Sequence, residues 1–114
     1  MRQLAELTLF ACVAVLTIST VVFARTPDAE KGKAIFQQSC SVCHGPSGQG
    51  DGYRNLTPPP ADLTSPTIQG KADEALLGSI REGHPNTAMG TWKMAFSEEE
   101  MRDVLAYIRI LQEK

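Results

Sequence analysis

Cys40-Ser41-Val42-Cys43-His44 places two thiols three positions apart with an imidazole directly after them. On a helical turn, each thiol of such a run can form a thioether with one vinyl group of a haem. The adjacent His44 is then held beneath the iron as an axial ligand, so five residues specify three bonds to one covalently attached haem c. The other chemistries of a cysteine pair need surroundings this chain does not supply. A thioredoxin-like redox pair wants the motif at the start of a helix that follows a strand, and no alternating β-rich run precedes Cys40. A structural zinc site needs two further Cys or His ligands at short spacing, and downstream of residue 24 only His44 and the isolated His84 are present. A disulfide between Cys40 and Cys43 alone would close a tiny loop and stabilise little.

The motif must be delivered and then covered. Pro27-Asp28 opens a helix with Asp28 as N-cap, and Ile35 and Phe36 give it an apolar face up to Cys40, so this first helix presents the cysteines. From Gly45 to Gly70 the chain is punctuated by Gly45-Pro46, Gly48, Gly50, Gly52, Pro58-Pro59-Pro60 and Ser65-Pro66, a run in which no regular element is expected. A loop this long inside a small domain is functional as a rule, and here it should wrap one side of the haem. Ala72 to Glu82 predicts a second helix, with Leu76, Leu77 and Ile80 on one stripe and Gly83 as a left-handed cap. Ser97-Glu98-Glu99-Glu100 is a capping box. Met101, Val104, Leu105, Ile108 and Leu111 follow it at helical spacing and predict a final helix, whose leading glutamates suit the positive end of the helix dipole.

Composition agrees with a fold built around a cofactor. Of the 114 residues, the 90 from Arg25 onward contain only 15 Val, Ile, Leu or Phe, below the roughly 20% at which a chain struggles to build a core, and they hold all 9 Gly and all 7 Pro. This excludes a conventional α/β enzyme domain and a tightly packed four-helix bundle, and leaves one small domain. Disorder would normally bring high net charge, whereas the chain carries a net charge of only −2. The same balance removes the electrostatic warrant for nucleic acid or anionic membrane as partners.

Residues 1–24 differ in kind. Met1 and Arg2 precede an apolar run from Leu7 to Phe23, broken only by Thr8, Thr17, Ser19 and Thr20 and ending at Ala24. The pattern predicts a secretory signal peptide cleaved after Ala24, with a retained membrane anchor as the alternative. Cys12 lies inside the run rather than at its end, so it is ordinary filler and not a lipidation site, and the absence of a twin-arginine pair favours the general secretory route. The expected division is residues 1–24 as leader and residues 25–114 as the haem domain, placed in the periplasm or otherwise exported.

Residues 28–114 resemble the class I c-type cytochromes, the small soluble monohaem electron carriers. The haem motif Cys40, Cys43, His44 carries the likeness. It extends to Gly32, Phe36 and Tyr107, which match the family's crossing of N- and C-terminal helices, and to Gly83 through Thr87-Ala88-Met89 with Ser97 and Tyr107-Ile108-Arg109. The resemblance implies an all-α fold of three to four short helices around one haem, with Met89 as the second axial ligand. Met94, three residues before the Ser97 cap, is the alternative, and His84 a further one; Gly90 stands where the family often has Pro. The resemblance also implies that the carbonyl of Pro60 holds His44. Independently, buried propionates require donors, for which Trp92, Tyr53 and Arg81 are candidates.

A His/Met-ligated iron has no open position, so the expected function is one-electron transfer between redox protein partners, by a monomer and without catalysis. Contact with a membrane is expected only if the leader is retained. The alternatives are an electron-transfer subunit held permanently on a periplasmic dehydrogenase or oxidase, and a haem peroxidase or gas-binding protein.

Overall fold

The computed structural model describes residue 21 and residues 23–111. Of the expected leader only Val21, Phe23 and Ala24 fall among them; the rest of residues 1–24 lies outside the described residues. Every regular element described is helical: α1 (Ala29–Ile35), a π-helical turn (Phe36–Cys40), α2 (Ser41–His44), α3 (Pro66–Gln69), α4 (Asp73–Glu82) and α5 (Glu98–Leu111). The expected three to four helices become five because two of them, α2 and α3, are single turns. One of these corrects the reading of residues 45–70 as devoid of regular structure. Ser65 accepts a hydrogen bond from the Ile68 N–H, and Pro66 takes the first helical position, where a missing N–H goes unnoticed.

The helix ends follow local chemistry. Asp28 caps α1 by accepting from the backbone N–H groups of Glu30 and Lys31. The capping box of α5 is reciprocal: the Glu100 N–H donates to Ser97 Oγ at 3.2 Å, and the Ser97 N–H donates to Glu100 Oε2 at 2.7 Å. Gly83 ends α4 differently from the left-handed cap expected. Its φ of 69° is paired with a ψ of −165°, which sends the chain straight back across itself instead of curling it into a left-handed turn. A Cβ there would sit 2.5 Å from the Met89 carbonyl, so only glycine fits.

The core gathers on α5, where Met101, Val104, Leu105, Tyr107, Ile108 and Leu111 are buried together with Phe36 from the π turn and Leu76, Leu77 and Ile80 from α4. The crossing of α1 and α5 is the tightest contact. A Cβ on Gly32 would lie 1.8 Å from the Asp103 carbonyl oxygen, so the two backbones touch where Gly32 has no side chain. Beside it the rings of Phe36 and Tyr107 meet tilted at 60°, their centroids 5.3 Å apart, as aromatic quadrupoles prefer. The helix pairing suggested by Gly32, Phe36 and Tyr107 is therefore formed.

Asp103 was not legible as a core residue. Its side chain is 2% exposed, yet it accepts from Arg25 Nη2 at 2.7 Å and from the Asp28 N–H at 2.6 Å. Burial alone would push this carboxyl up, but the Arg25 and Asp28 bonds to its charged form outweigh that and hold it below the ordinary range. At the other end of α5, Arg109 donates to the Gln69 and Lys71 carbonyls at 2.8 and 2.6 Å and to Asp73, pinning the α3–α4 connection onto the helix.

Candidate functional site

The π turn and α2 carry the motif: Cys40 closes the one, and Cys43 and His44 end the other. A wider turn in the middle of a helix is a common device at functional sites. All three residues are partly buried and line one cavity of about 320 Å³, a size typical of ligand sites. Its walls are mainly apolar. Phe36 forms part of it, with Leu76 and Ile80 of α4, Val104 and Ile108 of α5, the Pro58-Pro59-Pro60 stretch, and Met89 with Trp92.

His44 is held from behind. Its Nδ1 lies 3.0 Å from the Ala61 carbonyl oxygen, and since a carbonyl only accepts, Nδ1 must carry the proton. That leaves Nε2 with the free lone pair a metal ligand needs. The carbonyl is Ala61's and not Pro60's, which corrects the sequence expectation by one residue. Pro60 does line the cavity, but its carbonyl is turned against Gly50, where an added Cβ would approach it to 2.5 Å. The signal was absent from the sequence because a backbone carbonyl carries no side-chain identity.

Cys40 and Cys43 are not joined to each other by a disulfide. Burial, with a smaller push from Cys43, raises the Cys40 thiol to about 11, the opposite of the depressed value of a redox-active or metal-activated thiolate. This weakens the thioredoxin-like reading further. Among the described residues no three His, Cys, Asp or Glu side chains gather as a metal cluster would require.

Of the two candidate methionines, Met89 is half-buried and lines the cavity, whereas Met94 is 87% exposed and lies outside it. Trp92 also lines the cavity, its ring stacked on Phe96 at 5.4 Å and its backbone N–H donating to the Ile80 carbonyl at 3.2 Å. Tyr53 and Arg81 are not in the wall. Tyr53 is exposed on the glycine-rich loop, and the Arg81 guanidinium is taken by Glu98 and Glu74. His84, the further alternative, lines the cavity as Met89 does, and so do Lys71 and Ser79, which no motif announced.

The donor set suits a covalently held haem: two thiols, an imidazole with a free Nε2, and a soft thioether on one apolar cavity. The comparisons agree with it. The family model for cytochrome c matches residues 29–112. Cytochrome c-554(547) of Halothiobacillus neapolitanus is 35% identical over 92 residues, which cover 75% of this chain and 98% of that protein. Among solved structures, the reducing HAO-like protein complex of Kuenenia stuttgartiensis matches with a TM-score of 0.65 and 28% identity, over 77% of this chain and 45% of that one. Cytochrome cL of Hyphomicrobium denitrificans matches with a TM-score of 0.56 and 27% identity, over 71% of this chain and 45% of the other.

Proposed function

The chain belongs to the cytochrome c family, with its all-α fold and one covalent haem c, and from that premise we propose that it carries single electrons with His44 and Met89 as axial ligands and Cys40 and Cys43 as thioether anchors. One observation carries this reading: the imidazole and the thioether both face the cavity that the two thiols line. When bound, the haem supplies reversible one-electron chemistry at its iron. The protein's part is to hold that chemistry without letting it change. Ala61 fixes the proton on His44 Nδ1 and with it the ring's orientation. Met89 offers an uncharged sulfur that favours the reduced state over what two imidazoles would give. Leu76, Ile80, Val104 and Ile108 keep water from the cavity floor. With His44 and Met89 both holding the haem iron, substrate would have no position to bind, in keeping with an electron carrier that is not an enzyme. Trp92 and Pro60 complete the wall, Trp92 as a contact for the haem periphery.

The test is the ferric absorption spectrum of the purified holoprotein. A red-edge charge-transfer band from methionine sulfur to iron is expected. A high-spin spectrum, with rapid carbon monoxide binding by the reduced form, would replace the carrier with a gas-binding or peroxidase reading.

We further propose that it works as a freely diffusing monomer in the periplasm, passing electrons between redox protein partners. The match to cytochrome c-554(547) across 98% of that protein's length supports a small one-domain cytochrome. Export is supported by the start of the tertiary contacts. Val21 and Phe23 are 73% and 91% exposed, and Arg25 is the first described residue to engage the body of the protein, one position past the expected cleavage after Ala24. Among the described residues no helix is long and apolar enough to cross a membrane. Intact mass of the purified protein reads leader removal and haem attachment together, and co-purification of an oxidoreductase at high salt would favour the fixed subunit.

A further inference from the structure

The loop that brings Met89 to the cavity brings a second metal-binding side chain with it. The His84 N–H donates to the Met89 carbonyl at 2.9 Å, closing the loop at its base. Thr87 ties the interior, its Oγ1 donating to the His84 carbonyl at 2.8 Å and accepting from the Met89 N–H at 3.1 Å. The two residues are thus linked across one short closed turn, and both line the same cavity. His84 is solvent-exposed where Met89 is half-buried, which puts it on the open side of the cavity. The glycines Gly83 and Gly90 bracket the loop and pack backbone to backbone at its base, while the side-chain face of Gly90 is open, with nothing within 4 Å.

We propose that His84 is a reserve axial ligand, taking the sixth position on the iron whenever the Met89 thioether leaves it. The proposal rests on the reading of Met89 as the ligand. Its consequence is a second closed form of the carrier. An imidazole in place of a thioether keeps the iron low-spin and lowers its potential, because the soft sulfur's preference for the reduced state is lost. The protein then remains a carrier, with no open position for gases or peroxide, after a change that would otherwise expose the iron. The closed base of the turn and the hydrogen bonds of Thr87 keep His84 and Met89 on one short loop, so bringing His84 in closes little additional chain.

The experiment uses the ferric holoprotein with Met89→Ala, and with Met89→Ala and His84→Ala together. In the single variant the methionine band should vanish while the spectrum stays low-spin with a nitrogen-ligand signature in electron paramagnetic resonance. In the double variant the iron should turn high-spin. Added imidazole should restore the low-spin spectrum there, which also shows that the variant still folds. An iron that His84 occupies about nine-tenths of the time leaves a tenth open, so imidazole should bind the single variant roughly tenfold more weakly than the double. A high-spin single variant overturns the proposal and leaves Met89 as ligand intact. So does a low-spin double variant, which would point to another donor such as Lys71. A methionine band that survives Met89→Ala instead overturns the assignment of Met89, and the proposal with it.

Discussion

At the crossing of α1 and α5 the chain packs tightly on itself, while the wall made by residues 45–70 and 83–96 reaches the core only through partly buried side chains such as Leu63, Ile68, Trp92 and Phe96. Phe36, Leu77 and Val104 are shut off from solvent at or near the crossing, and Gly32 lets the backbones touch. In the two loop segments the only fully buried residues are glycines: Gly45, Gly48 and Gly83. No side chain from either loop is swallowed by the protein, though several face the cavity. The helical half therefore rests more on its own apolar surface, and the loop half more on backbone hydrogen bonds, partly buried contacts and the haem in the cavity it encloses. The scarcity of large apolar residues is thus concentrated on one side, where the haem takes their place.

The largest expected effect comes from removing that filling. A Cys40→Ala/Cys43→Ala chain that carries no haem should lose its cooperative thermal transition, because Phe36, Val104 and Ile108 face the cavity as well as the crossing. A sharp melt followed by circular dichroism would show that the helical half stands alone. Within the holoprotein, Phe36→Ala should cost about 3–5 kcal/mol, as large aromatic deletions in a packed core do, whereas Met94→Ala should stay within about 0.5 kcal/mol on its exposed site. Chemical denaturation measures both, and equal costs would erase the distinction between the halves.

The ion pair that anchors Arg25 to α5 makes a pH-dependent difference. Asp103 is held below the ordinary carboxylate range in the folded protein, so the unfolded chain takes up the proton first as pH falls. Its contribution is present in full above the unfolded value of about 3.9 and drains away below it, toward the lower folded value. Asp103→Asn should flatten the acid limb of stability against pH, and an unchanged limb would assign acid unfolding to other groups. A modest effect is expected at the helix start: Ser97→Ala removes half of the capping box and should cost about 1 kcal/mol in the same denaturation experiment.

Much of this architecture is legible where neighbours in sequence decide it. The Asp28 cap, the Ser97–Glu100 box and the apolar stripe of α5 depend on contacts two to four residues apart, and all three form. The exit from α4 at Gly83 reads less well, because its ψ answers to Met89, six residues on, rather than to the helix it ends. Tyr53 and Arg81 illustrate another failure. A donor type can be spotted in sequence, but whether it is free for a ligand depends on competitors elsewhere, and Glu98 and Glu74 had already taken Arg81.

By itself the sequence determined the haem motif, the helices on either side of it and the need for a cofactor in the core, since these follow from residue types, short spacings and composition. Only the tertiary structure decided that Ala61 supplies the carbonyl behind His44, that Met89 and not Met94 faces the cavity, and that His84 stands on its open side. It also decided that Asp103 is a buried anchor for Arg25. The physical reason is common to all four. Each depends on which way a side chain or carbonyl points after segments distant in sequence have packed, and that direction is set by the packing rather than by the residue's neighbours.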